Sequence, residues 1–206
     1  MTPDAVLKLI HDTRFLVLDF DGTLVDSNPI KLKAFEKCFG GYPQFEAIMA
    51  YCQNNHHTPR KTKFRHVFEN ILKKPYLSET EKKLLEQYAA HTTEQVICAP
   101  EIPGATLFLE KFARARETAL LSSTPHEILL HILEERKMRH YFKTIQGAPV
   151  HKASWLKQFK AEKNCKPAEV LFIGDSEEDA KSAEEAGISF IQIGPAFADF
   201  NALFIP

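Results

Sequence analysis

Four consecutive apolar residues, Phe15 to Leu18, run directly into Asp19-Phe20-Asp21-Gly22, two acids one residue apart followed by a glycine. A short apolar run bounded by a turn signal reads as a buried strand, expected here over about 15 to 20. Side chains alternate along a strand, so Asp19 and Asp21 start on the same side, close enough to share one ion or one substrate. Gly22 then lets the backbone turn sharply. Taken alone, the pattern also describes a strand that happens to end in an Asp-Gly turn, and the rest of the chain has to decide.

Around that strand the character of the chain changes twice. A short helix is expected over 3 to 11, with Val6, Leu7, Leu9 and Ile10 apolar, while from Pro29 to Ala99 the sequence reads as helix without a convincing strand. Phe64, Val67, Phe68, Ile71 and Leu72 recur at the spacing of one helix face. Lys61, Lys63, Arg65, Glu69 and Lys73 occupy the other face and are expected to be solvated. Ser78 and Glu81 have capping-box spacing and open a further helix through Leu84, Leu85 and Tyr88 toward Val96. Two shorter helices near 30 to 39 and 43 to 54, parted by Gly40-Gly41, complete a small bundle. The polar run from Asn54 to Pro59, which contains His56 and His57 and leads to Arg60, is either a solvated loop or a cationic one suited to an anion.

Beyond residue 99, strand and helix alternate. Pro103-Gly104 starts a helix to about 116, 118 to 122 is a strand, and Thr124 is expected to cap the next helix with Pro125 and Glu127 at its first and third positions. Strands near 144 to 147, 169 to 174 and 188 to 193 are separated by helices over about 151 to 163 and 176 to 187, with a short helix or turn at 197 to 204. Parallel strands need crossovers, so this alternation predicts an α/β fold, a Rossmann-like parallel sheet with helices on both faces. The α/β core is then discontinuous, 1 to 27 with 99 to 206, and 28 to 98 is a helical insertion.

Composition narrows the partners. A formal net charge of -1, with 26% charged and 44% hydrophobic residues, leaves no basic footprint for nucleic acid. The first fourteen residues do not form a secretory signal and no apolar run reaches spanning length, so a cytoplasmic protein without membrane partners is expected. Cys38, Cys52, Cys98 and Cys165 are too scattered for a zinc or disulfide framework and are read as packing residues. Oligomeric state is not encoded in any recognisable pattern.

In a parallel sheet the carboxyl ends of the strands share one edge, where ligands bind. Asp19 and Asp21 end the first strand, Ser122 the second, Lys152 follows the third, and Asp175 follows the fourth with Asp179 one helical turn on. Two carboxylates about 4 Å apart repel by roughly 4 kcal/mol at an effective dielectric near 20, so gathering these acids calls for a cation. An all-oxygen donor set suits a hard ion, Mg²⁺, and Ser122 and Lys152 could hold the other oxygens of a phosphoryl group. Alternatives stand for each: Ser122 lies in a good strand-to-helix turn, Lys143, Lys157 and Lys160 flank Lys152, and Asp175 with Asp179 could simply cap a helix.

Asp19-Phe20-Asp21-Gly22-Thr23, Leu120-Leu121-Ser122, Lys152 and Gly174-Asp175-Ser176-Glu177-Glu178-Asp179 resemble, in order and spacing, the four motifs of the haloacid dehalogenase-like hydrolase superfamily. The insertion at 28 to 98 resembles that family's helical cap. The resemblance implies a phosphatase acting on a small phosphorylated metabolite. Asp19 would be the nucleophile forming an aspartyl-phosphate, and Asp21 the acid and base. Mg²⁺ would be held by Asp19, the carbonyl of Asp21 and Asp175, with Asp179 directly or through water, and Ser122 and Lys152 would bind phosphate. Family dehalogenases lack the second motif acid, which favours phosphorus over halogenated carbon. A phosphomutase of the same superfamily and a non-catalytic phospholigand-binding protein are the alternatives.

Overall fold

The computed structural model describes residues 2–55, 58–113, 115–194 and 198–204. His56 and His57 lie outside them. The chain forms two compact units, Met1–Asp26 with Ala99–Pro206, and Ser27–Cys98.

The first unit contains α1 (Pro3–Asp12), β1 (Phe15–Leu18), α6 (Ala105–Phe112), β2 (Glu117–Pro125), α7 (His126–Glu135), β3 (Thr144–Ala148), α8 (Lys152–Glu162), β4 (Val170–Gly174), α9 (Glu177–Ala186) and β5 (Ser189–Gln192); the second contributes α2 to α5, whose ranges are given below. The five strands of the first unit form one parallel sheet in the order β3-β2-β1-β4-β5. Leu18 pairs with Leu120 on one side and Ile173 on the other, which aligns the carboxyl ends of the three central strands. Phe15, Val17, Ala119, Leu121, Val170 and Phe172 bury one face of the sheet against Leu156 and Phe159 of α8 and Ala183 and Ala186 of α9. Leu16, Leu18, Leu120, Leu171 and Ile173 on the other face are buried as fully. A strand covered on both sides has no polar face, which is why β1 and β4 are continuous apolar runs.

Besides α6, which ends at Phe112 rather than near 116, two boundaries differ from the sequence expectation. Regular strand pairing of β1 ends at Leu18, so Asp19 and Phe20 already belong to the turn. β2 continues through Thr124 to Pro125, and α7 starts at His126 with no side-chain cap. The Thr124 hydroxyl has a stronger partner than a helix amide.

The second unit is helical: α2 (Asn28–Phe39), α3 (Phe45–Asn54), α4 (Arg60–His66) running into a π-helical turn at Val67–Ile71, and α5 (Ser78–Cys98). Its core is built on rings. Phe35 lies 5.5 Å from Phe64 and 5.0 Å from Tyr88, and Phe64 lies 5.9 Å from Tyr88, all edge-on, the arrangement that ring quadrupoles favour. The expected helix over 64 to 72 is irregular: Leu72 N–H donates to Val67 O at 2.8 Å, one residue beyond the α spacing. Lys63, expected on the solvated face, is only 4% exposed, and its ammonium lies 4.9 Å from the centre of the Phe35 ring. Lysine can do this because its stem is apolar and a ring face attracts its charge. Lys61 keeps its expected exposed position in an ion pair with Glu81. Among the described residues, no helix is long and apolar enough to cross a membrane.

Candidate active site

Asp19 is the first residue past β1, and its N–H still donates to Ile173 O at 2.9 Å, so the sheet fixes its backbone. The next residues turn tightly. Gly22 sits at φ 81°, a conformation that favours glycine, and its N–H donates to Val25 O at 2.8 Å. That turn brings the Thr23 hydroxyl to 3.4 Å from Asp19 Oδ2.

Lys152 opens α8 and reaches across the sheet edge. Its Nζ donates to Asp19 Oδ1 at 2.7 Å and to Asp179 Oδ1 at 2.6 Å. The neighbouring lysines point elsewhere: Lys157 pairs with Glu185, and Lys160 donates to Ala186 O. Asp179, in the first turn of α9, accepts the Ser176 hydroxyl on Oδ2 at 2.6 Å, while its own N–H donates to Ser176 Oγ at 3.0 Å. The helix cap is therefore Ser176, which frees Asp175 from that task. Gly174 permits the approach, since a Cβ there would lie 2.6 Å from Asp179 Oδ2. Asp175 has its carbonyl fixed by Gln192 Nε2 at 3.1 Å.

Asp19, Asp175 and Asp179 each offer a carboxylate oxygen, all within 4.8 Å of one another. Burial pushes the Asp19 carboxyl up to about 8; Lys152 opposes the rise, and Asp179, Asp175 and Asp21 add to it. Burial alone would lower Lys152, but Asp19 and Asp179 turn the shift upward, so its ammonium stays charged. A carboxyl raised that far conflicts with a 2.7 Å contact to a charged ammonium, which is the geometry of an ion pair. The conflict has a physical source: burial and the nearby acids Asp179, Asp175 and Asp21 outweigh Lys152 while no cation offsets them. A hard cation among Asp19, Asp175 and Asp179 removes it, and an all-oxygen donor set fits such an ion.

Asp21, 8% exposed, belongs to a second arrangement. Its Oδ2 accepts the Thr124 hydroxyl at 2.7 Å and the Ser122 hydroxyl at 3.3 Å, and Thr124 N–H donates to Ser122 Oγ at 3.0 Å. The six residues singled out in the sequence thus fall into two connected groups: Asp19, Lys152, Asp175 and Asp179 in one, Asp21 and Ser122 in the other. Thr23 and Thr124 have no site role in the sequence reading, which expects Thr124 only to cap a helix. Thr124 stands two residues beyond Ser122 on the same strand, the spacing that puts two side chains on one face, and that was the available signal. The Arg60 guanidinium lies over the Tyr88 ring at 4.8 Å, both in the helical unit.

The model of the haloacid dehalogenase-like hydrolase family matches residues 16–193. The chain is 27% identical over 195 residues to a phosphoglycolate phosphatase of Synechococcus elongatus, covering 91% of this chain and 87% of that protein. It is 28% identical over 192 residues to phosphoglycolate phosphatase 1 of Pseudomonas aeruginosa, covering 85% of this chain and 67% of that protein. Its fold is shared with a protein from Bacteroides fragilis assigned to the haloacid dehalogenase-like hydrolases, at a TM-score of 0.73 and 19% identity over 92% of this chain and 93% of that one.

Proposed function

We propose that this chain, which belongs to the haloacid dehalogenase-like hydrolase family, is a metal-dependent phosphatase that cleaves a small phosphomonoester through a phosphorylated Asp19. The observation that carries the reading is the grouping of Asp19 with a charged Lys152 and the acids Asp175 and Asp179, with Asp21 held on two hydroxyls. A carboxylate nucleophile must be ionised and aimed, whereas a carboxyl that exchanges protons must be kept separate from that charge.

Lys152 holds Asp19 as a carboxylate and aims its oxygen at phosphorus. The Asp19–phosphorus bond forms as the bond from phosphorus to the leaving oxygen breaks, and Asp21 gives that oxygen its proton. A water then attacks phosphorus, Asp21 takes its proton back, and the bond to Asp19 breaks, releasing inorganic phosphate. Asp19, Asp175 and Asp179 would hold the cation, for which Mg²⁺ suits the donors, and when bound it offsets charge between the nucleophile and the phosphoryl oxygens. Ser122 and Lys152 are the groups proposed to bind those oxygens.

Phosphoglycolate is the first substrate to try, because two curated relatives carry that activity in their names. The test is phosphate release from phosphoglycolate with Mg²⁺, beside a chelator control and an Asp19→Asn variant. Metal-dependent release lost in the variant supports the reading. Failure of the folded, metal-loaded protein on phosphoglycolate and on a panel of other phosphomonoesters would overturn it.

A further inference from the structure

The Thr124 hydroxyl was expected to cap α7, and the structure gives it to Asp21 instead, at 2.7 Å. Thr124 is 4% exposed and Ser122 is 2% exposed, so both hydroxyls sit where an unmet hydrogen bond is costly. Their positions are not loose. Thr124 N–H is tied to Ser122 Oγ, and β2 loses regular register against β3 between Leu121 and Pro125, so this end of the strand has its own conformation. β3 supports it from the side: a Cβ at Gly147 would lie 2.6 Å from Thr124 O, and Gly147 N–H donates to His126 Nδ1 at 3.2 Å. Only a glycine lets β3 come this close to the backbone that carries Thr124.

We propose that Thr124 is the positioning residue for Asp21, fixing its Oδ2 as a hydrogen-bond acceptor and so holding the carboxyl in the orientation in which it exchanges a proton with the leaving group and with water. Of the two hydroxyls, Thr124 makes the shorter bond to Asp21. Ser122 is thereby left at the longer distance, compatible with a turn toward a phosphoryl oxygen while Thr124 keeps Asp21 in place. The inference rests on the phosphatase reading, since it assigns a role within that reaction.

The experiment compares Thr124→Val, which keeps the shape and removes the hydroxyl, with Thr124→Ser, which removes the methyl and keeps the hydroxyl. Two substrates are used. The glycolate alkoxide needs a proton as it leaves, whereas p-nitrophenolate leaves well without one. General acid catalysis is typically worth about 10²- to 10⁴-fold. Misplacing the acid should therefore lower kcat for phosphoglycolate in Thr124→Val by about tenfold more than kcat for p-nitrophenyl phosphate, with KM for phosphoglycolate changed less than about threefold. Thr124→Ser should recover most of that loss. Equal losses on the two substrates, or a Ser variant as impaired as the Val variant, would overturn the proposal and leave Thr124 a packing residue. If Thr124→Val does not fold, Thr124→Ala against Thr124→Ser makes the same comparison, because both lack the methyl and differ only in the hydroxyl. Absence of turnover in the parent protein would instead refute the phosphatase reading itself, so the two failures are distinct.

Discussion

At the carboxyl ends of β1, β2 and β4, short polar contacts decide position: Lys152 lies 2.7 Å from Asp19 and 2.6 Å from Asp179, and Thr124 lies 2.7 Å from Asp21. Inside Ser27–Cys98, by contrast, Phe35, Phe39, Phe64, Phe68 and Tyr88 meet at ring separations between 5.0 and 6.4 Å, and few of the contacts depend on a particular atom. The first region is specified by charge and hydrogen-bond geometry, where one wrong atom leaves a buried group unmet. The second is specified by volume and shape, where several apolar residues would serve. Substitutions in the two regions should therefore fail in different ways.

Lys152→Met sets the larger contrast. Removing the cation leaves Asp19 and Asp179 buried without it, which should cost about 3–5 kcal/mol of stability in the metal-free protein. It should also lower kcat by about 10²- to 10³-fold, the scale on which a charge aimed at the reacting group acts. Denaturant titration and steady-state kinetics read the two separately, and a stable, active Lys152→Met would erase the distinction drawn between the regions. Phe64→Ala is the counterpart in the helical unit. Phe64 is fully buried, so its truncation should cost about 3–5 kcal/mol in denaturant unfolding. A loss below about 1 kcal/mol would mean that ring packing does not hold this unit together.

A smaller effect separates the regions by pH. In the metal-free protein Asp19 rises from 3.8 to about 8, so the native state holds its proton more tightly than the unfolded chain does. That contribution to stability is full below pH 3.8 and is lost as pH rises through about 8. Mg²⁺ competes with the same proton, so the rise in Tm on adding Mg²⁺ should be greater at pH 8 than at pH 5.5, by a few degrees. Asp19→Asn should flatten the difference, and a rise that is greater at the lower pH would contradict the assignment of Asp19 to the metal group.

The same contrast explains what could be read in advance. The parallel sheet and the inserted helical region were legible because alternating apolar runs and turn signals leave few topologies. Asp19, Asp175, Asp179 and Lys152 were legible as a group because strand ends bring them to one edge whatever the intervening chain does. Thr124 was misread because Thr-Pro-x-Glu is also a good helix start, and only the course of β2 shows that its hydroxyl goes to Asp21. Lys63 was misread because helical periodicity assigns it a polar face, while its burial over Phe35 depends on tertiary packing that the pattern does not contain. The π-helical turn at Val67–Ile71 left no mark in the apolar spacing either.

The central claim is that Asp19 carries the phosphoryl group during turnover. The direct measurement is acid quench of the Mg²⁺-loaded protein turning over phosphoglycolate, followed by mass spectrometry of the peptide containing residues 15 to 27. The account predicts one added phosphoryl group on Asp19, removed by hydroxylamine and absent from Asp19→Asn. Sustained phosphate release by an Asp19→Asn variant, with no phosphorylated peptide from the parent protein, would contradict it.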